Sequence, residues 1–305
     1  MNKDTYDGLI YAAGAFILWG LLPVYWKSLE NVPALELLCN RIIWSLVFVG
    51  ILLFYKKRWK EVKTALADSK GKILLTISSL LIGTNWFIYI WAVNHGHVID
   101  TSMGYYMTPL MNALLGFAFM KDKLTGTQTV AILLAACGVG YSIIDYGHVP
   151  YIALILAVSF SFYGLVRKIM TVQSLPGLFV ETAVLAPFSA GYLIWLAFSG
   201  EISIPKINVI ENLLLIGAGA ATSMPLIFFA QGARRLRLVT LGMMQYIAPT
   251  LALMLGIFVY KEPFNSTRLI TFAFIWCGIA VYVADGIRNN FKAMSKINNR
   301  KRIKP

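Results

Sequence analysis

The chain has 305 residues, of which 58% are hydrophobic and only 13% charged, with a mean hydropathy of +0.68 and a formal net charge of +13. A soluble domain carries about 25% charged residues, so a water-soluble enzyme, a disordered chain and a secreted disulfide scaffold are excluded. The charges cluster between apolar runs of about 18–22 residues, the length a helix needs to cross a bilayer about 30 Å thick.

Ten helices are predicted in chain order. The first, 8–26, carries Tyr11 and Trp19 and ends on Trp26. It lacks the small-residue cleavage site of a signal peptide and is read as a retained span. The second, 34–54, contains Glu36, Asn40, Arg41 and Trp44. An ionisable group inside a span costs about 2.5–3.5 kcal/mol, so it needs a reason to be there. For Arg41 two readings stand: a cationic contact for an anionic or carbonyl-bearing substrate, or a structural arginine bonded to carbonyls of neighbouring helices. The third segment, 73–93, follows the longest loop, 55–72, and presents Asn85, Trp86 and Tyr89. Trp26 and Trp59, at segment ends, are read as interfacial anchors. His95 and His97 follow the third segment, and His148 sits in another loop. Histidines at i and i+2 share no helix face, so they read as solvated turns, and no metal or cofactor is predicted.

The fourth segment, 101–119, places Ser102, Tyr105, Tyr106, Pro109, Asn112 and Gly116 near one face. The fifth, 128–145, ends on Asp145 and offers Ala136-x-x-x-Gly140 for close helix contact, within the subunit or across a homodimer. The sixth, 149–167, brings Ser161 and Tyr163 and ends in Arg167-Lys168. The seventh, 177–198, contains one carboxylate, Glu181. It reads either as a proton-coupling group or as a partner for Arg167 or Lys168. The eighth, 209–230, holds Thr222, Ser223 and Pro225, and the ninth, 238–259, repeats the fourth with Gly242, Gln245, Tyr246 and Pro249. A proline in each of the fourth and ninth frees a carbonyl and predicts a kink. The tenth, 267–286, ends on Asp285, read like Asp145 as a water-facing charge. Cys39, Cys137 and Cys277 read as small packing residues.

Lysines and arginines fix the expected orientation. With the N-terminus inside, the 55–72 loop, Lys121 and Lys123, Arg167-Lys168, Arg234 to Arg237 and the tail all fall on the cytoplasmic side. Only Lys27, Lys206, Lys261 and Arg268 fall opposite, as the positive-inside rule requires. The basic charge is therefore read as topology and contact with anionic lipid at the cytoplasmic face, with no nucleic acid partner.

A shift of 140 residues superposes Tyr106 on Tyr246, Pro109 on Pro249, Gly116 on Gly256, Cys137-Gly138 on Cys277-Gly278, and Asp145 on Asp285. Lys121-Asp122 falls likewise on Lys261-Glu262. The expected architecture is all-α: ten transmembrane helices as two inverted five-helix repeats around a central cavity. The first repeat is 1–147 and the second 148–286, with a basic cytoplasmic tail over 287–305. Inverted repeats characterise transporters that expose a central site alternately to either side. The expected substrate-binding set is Tyr106, Tyr246, Gln245, Asn85, Trp86, Tyr89, Arg41, Asn112, Ser223, Tyr163 and Trp19, with Glu181 as the coupling residue.

The runs Trp19-Gly20-Leu21-Leu22-Pro23, Asn40-Arg41-Ile42-Ile43-Trp44-Ser45, Tyr163-Gly164-Leu165-Val166-Arg167-Lys168 and Gln245-Tyr246-Ile247-Ala248-Pro249-Thr250 carry a family likeness. Together they resemble the RarD branch of the EamA-type drug/metabolite transporters over nearly the whole chain. The resemblance implies ten helices, a cavity between the halves and export of small metabolites or drugs. Asn40-Arg41 stands where the family usually has His-Arg, and Thr108-Pro109 where it usually has Asn-Pro. The function read from the sequence is a secondary transporter, an exporter of a small amphipathic solute, in the bacterial inner membrane with both termini cytoplasmic. The rival reading is an intramembrane enzyme acting on a lipid or peptide. It finds no HExxH metal motif and no Ser-x-x-Lys or GxSxG nucleophile.

Overall fold

A helix that is apolar around its whole circumference must meet lipid on one side and other helices on the other. The computed structural model describes residues 3–95, 97–147, 149–260 and 266–303. Gly96, His148, Lys304 and the Lys261-Glu262 pair of the repeat lie outside the described residues. Among the described residues the regular elements are all helical. The first half runs α1 (Lys3–Lys27), α2 (Ala34–Tyr55), α3 (Trp59–Ala67), α4 (Ser69–Asn94), α5 (Val98–Met120) and α6 (Gly126–Tyr146). It continues with α7 (Tyr151–Ile169), α8 (Ser174–Phe198), α9 (Val209–Arg235), α10 (Leu238–Gln245), α11 (Ile247–Met254), a π turn at Leu255–Val259, and α12 (Ser266–Ile303).

Nine stretches among the described residues are long and apolar enough to cross a membrane, which makes this a multi-pass membrane protein. The predicted fourth segment is not one of them. Its helix, α5, has the length at 23 residues, but Thr101, Ser102, Tyr105, Tyr106, Thr108 and Asn112 dilute its apolar character. Phe117, Phe119, Leu133, Phe188 and Ile194 are among the large apolar side chains left on the outer surface, where lipid would cover them.

Three local features depart from the sequence expectation. The 55–72 loop contains α3, a short amphipathic helix. Lys57 turns into it with φ 53, and Arg58 grips Glu61 through two bonds of 2.6 Å, holding that carboxyl below its ordinary range. Val62 and Ala65 are buried, and Trp59 meets Phe179 of α8 edge-on at 5.0 Å, so Trp59 packs against protein. The predicted ninth helix is broken into α10 and α11 at Tyr246. Pro249 offers no N–H to the carbonyl of Gln245, four residues earlier, which is where α10 ends. Pro109 has the same chemistry, yet α5 continues through it, so only one of the two expected kinks interrupts its helix. Finally, the segment expected as a separate tail continues α12 to Ile303.

The helices pair as α1 with α9 and α11, α2 with α8 and α9, α4 with α7 and α8, α5 with α7 and α10, and α6 with α12. The α6–α12 seam is close because of two glycines. A Cβ on Gly138 would lie 2.8 Å from the Thr271 carbonyl oxygen, and one on Gly278 would lie 2.6 Å from that of Ala131. Gly140, expected to mediate the contact, has open space around it, and Cys137 and Cys277 are exposed instead of packed. At the two ends of this seam, Thr125 donates to Asp285 at 2.9 Å and Thr267 to Asp145 at 3.0 Å. Asp285 is 7% exposed, so it is a buried cap partner and not the water-facing charge expected.

Candidate functional site

A cavity of about 360 Å³ lies between the halves. Its wall is mostly apolar and rich in aromatic rings: Phe16, Trp19 and Trp26 from α1, Trp86 and Tyr89 from α4, Tyr105 from α5 and Phe160 from α7. Polar groups are few: Arg41 on α2, Asn85 on α4, Thr101 and Thr108 on α5, Thr222 on α9 and Gln245 on α10. A largely apolar concavity with a few placed polar groups is the usual form of a small-molecule site. The lining on α1, α2, α4, α5 and α7 comes from the helix halves nearest the 28–33, 95–97 and 149–150 connections, and that on α9 from its middle, at Thr222 and Leu226. Towards the other end of the bundle Leu53, Leu75, Leu178, Leu236 and Leu238 are buried in one cluster.

Arg41 is the cation of this wall. Its Nε donates to the Thr222 hydroxyl at 2.9 Å, and its guanidinium carbon lies 4.6 Å from the Trp26 ring centre and 5.6 Å from that of Trp86. Trp26 is thus a cavity residue and not the interfacial anchor expected from its position. Asn85 spends its amide on α7, donating to the Leu156 carbonyl and the Ser159 hydroxyl, each at 2.9 Å. Gln245 accepts from Asn112 at 2.9 Å, so Asn112 stands one layer behind the wall and orients the side chain that faces the cavity.

Of the residues singled out from sequence, Trp19, Arg41, Asn85, Trp86, Tyr89 and Gln245 meet at this cavity. Tyr106, Tyr246, Tyr163 and Ser223 do not line it, and the reasons are physical. Tyr246 is fully buried between α6 and α12, and its hydroxyl donates to the Tyr106 carbonyl at 3.1 Å. The Tyr106 ring packs edge-on against Phe272 at 5.2 Å. A tyrosine on a helix near a binding face can equally satisfy its hydroxyl on a neighbouring backbone, and here it does. Ser223 is buried among helices, its hydroxyl making no hydrogen bond among the described residues. Sequence reading missed Phe16 and Phe160, which carry no polar signature. Yet Phe16, Trp19, Pro23 and Trp26 recur at three-to-four spacing, and that stripe is readable.

Below the cavity lies an aromatic floor. Phe229 meets Phe160 at 5.2 Å, Trp19 at 5.6 Å and Phe16 at 6.2 Å, and stacks on Tyr163 at 6.0 Å. Beneath the floor sits a buried ion pair. Arg167 and Glu181, with side chains 2% and 1% exposed, approach to 3.3 Å. Glu181 also accepts from Ser78 at 2.6 Å and Tyr163 at 3.3 Å, and Arg167 donates to the Ser174 carbonyl at 3.0 Å. Glu181 is therefore the partner of Arg167, one of the two alternatives its position allowed, and does not reach the cavity. Further out on the same side, Arg237 pairs with Asp122 at 3.5 Å and Arg235 with Asp4 at 3.2 Å, while Lys168 donates to the Leu236 carbonyl.

The opposite end holds a tie that hydropathy did not reveal. Glu36 is buried, and its carboxylate accepts from the Ser203 N–H at 2.9 Å and the Ser203 hydroxyl at 2.7 Å. It fastens the 199–208 connection to the start of α2.

A helical membrane protein enclosing a solute-sized cavity belongs with the transporters, and comparison with known proteins agrees. Residues 7–144 match the EamA-like transporter family. The chain is 45% identical over 291 residues to Uncharacterized transporter YojE of Bacillus subtilis, covering 94% of this chain and 97% of that one. It is 43% identical to Protein RarD of Salmonella typhi, covering 93% and 97%. A solved crystal structure superposes with a TM-score of 0.70 at 19% identity, over 90% of this chain and 96% of that one, a likeness of fold alone. The protein is a membrane transporter and not an enzyme. It belongs to the RarD branch of the EamA-type transporters.

Proposed function

We propose that the protein is a secondary transporter that exports a small amphipathic solute from the cytoplasm. In this reading two inverted five-helix repeats, 1–147 and 148–286, give alternating access to the aromatic cavity. The observation that carries it is the one-sided cavity, lined at one end of the bundle and closed at the other by an aromatic floor and ion pairs. The packing supports the repeat. Exchanging the fourth predicted helix with the ninth and the first with the sixth turns the α5–α7 pair into α1–α11. The same exchange turns α1–α9 into α4–α7 and maps α6–α12 onto itself, Gly138 taking the place of Gly278. In this reading a second state has the halves with their conformations exchanged. The test is reconstitution: protein in liposomes should move a solute unchanged from one side to the other, and chemical conversion of the solute would instead favour an enzyme.

The inner membrane is the proposed location, with both termini cytoplasmic and the basic end of α12 against anionic lipid. Single cysteines on a cysteine-free background check the topology. A cysteine at Lys206 should react with an impermeant reagent added outside, and one at Lys63 should not. The reverse pattern would turn the molecule over, and the cavity would then face the cytoplasm.

Glu181 is proposed to couple protons to this cycle through the closed end. A proton on its carboxylate removes the charge that holds Arg167, leaving Ser78, Tyr163 and Ser174 as neutral partners around them. An imposed pH gradient should then drive flux in the wild type and lose most of its effect in Glu181→Gln. Equal driving in both proteins removes Glu181 from the coupling step.

A further inference from the structure

We infer that Arg41 is the anion-recognising residue of the cavity, and that the solute carried is an organic anion with an apolar or aromatic body. This rests on the proposed transport through the cavity and narrows its substrate class.

Among the described residues two arginines, Arg41 and Arg167, lie well inside the helical bundle, and they are partnered differently. Arg167 is matched by a carboxylate, has a carbonyl on its second fork nitrogen, and lies out of reach of the cavity. Arg41 has no ion pair among the described residues and lies in the cavity wall. A guanidinium has five donors in a rigid fork. Thr222 takes the Nε donor of Arg41, which fixes the plane of the group and leaves both terminal nitrogens without a hydrogen-bond acceptor among the described residues. The flanking indoles of Trp26 and Trp86 attract a cation without neutralising it.

Among the described residues no aspartate or glutamate lines the cavity. The buried carboxylates are engaged elsewhere: Glu36, on the same helix, binds Ser203, Asp100 accepts from Tyr146, Glu181 binds Arg167 and Asp285 accepts from Thr125. The wall therefore presents one fixed positive charge in surroundings of low dielectric, where Coulomb attraction for an anion and repulsion of a cation are both strong. A planar carboxylate fits the fork with two charge-assisted hydrogen bonds, and the remaining aromatic wall suits an apolar body. A lipid headgroup shares the first feature, but the small enclosed wall favours a soluble anion.

The test uses the full-length protein in phosphatidylcholine nanodiscs. The probes are 4-phenylbutyrate, naphthylacetate and indole-propionate, each with its matched amide and amine. Thermal stabilisation and direct titration report binding. In the wild type, each carboxylate that binds should do so on the order of tenfold to a hundredfold tighter than its amide, with the amine weakest. Arg41→Gln should bring the carboxylate down to the level of the amide and leave the amide itself unchanged. Arg41→Lys, which keeps the charge and loses the fork, should fall between. If Arg41→Gln does not fold, the wild-type ranking still decides. An amide or amine that binds as well as its carboxylate, or a carboxylate preference that survives Arg41→Gln, overturns the inference. Neutral or cationic members that bind and are carried would leave the transport reading intact while removing the anion. Failure of every probe to bind or move would count against both. Loss of carboxylate binding when phosphatidylglycerol is added would assign Arg41 to a lipid headgroup and overturn the soluble anion.

Discussion

Alanine in place of Arg167 is expected to destabilise the protein by about 3–5 kcal/mol, the range for removing one partner of a buried ion pair. The carboxylate of Glu181 would be left in an apolar interior with only Ser78 and Tyr163 as donors. The pair lies beneath the aromatic floor with side chains 2% and 1% exposed, so little solvent is at hand to take the place of the guanidinium. Equilibrium unfolding in detergent measures the loss. The double replacement Arg167→Met with Glu181→Leu should recover most of it, because an apolar pair of similar volume carries no desolvation cost. A single variant within about 1 kcal/mol of wild type, below the range for a broken buried pair, would show that water reaches this pair and that the closed end is not closed.

The second large effect is expected at the α6–α12 seam. A leucine at Gly278 meets the Ala131 carbonyl oxygen, and one at Gly138 meets that of Thr271. Neither obstacle is a side chain that can rotate away, so the helices must separate along their length. Each substitution should cost about 3 kcal/mol or more, the upper end for overpacking. Gly140→Leu, two residues along α6 from Gly138 but with nothing near its Cβ position, should stay within about 0.5 kcal/mol. Thermal unfolding and size-exclusion profiles of the three variants separate these outcomes. A Gly140→Leu protein as damaged as Gly278→Leu would mean that the α6 surface at Gly140 is covered.

How far the sequence could be read depended on which force did the arranging. Apolar length placed most of the helices to within a few residues, as at 34–54 against Ala34–Tyr55, because the bilayer fixes the length, and missed the polar extension of α12 to Ile303. It placed α5 as well, at 101–119 against Val98–Met120, although the polar residues that weaken its hydropathy include Thr101, Tyr105 and Thr108, which line the cavity. Arg41 and Gln245 were legible because a charged or amide side chain in a span demands a partner or a purpose. Tyr106 and Tyr246 misled for a different reason. Their matching repeat positions beside the prolines suggested a cavity face, but a backbone carbonyl satisfies Tyr246 in a buried layer behind it. The link between Glu36 and Ser203 spans a gap in sequence that no periodicity bridges.

The break between α10 and α11 has no equivalent in α5, although each carries its proline at the matching place. On the proposed exchange of conformations, the second state would carry the break at Pro109 of α5 and a continuous helix through Pro249. The two states would then differ in energy because the residues beside the two prolines differ, Thr108 preceding one and Ala248 the other. Every 1.4 kcal/mol of difference is a factor of ten in occupancy, so on that proposal a few unmatched residues around one bend would be enough to give an empty carrier a side on which it waits.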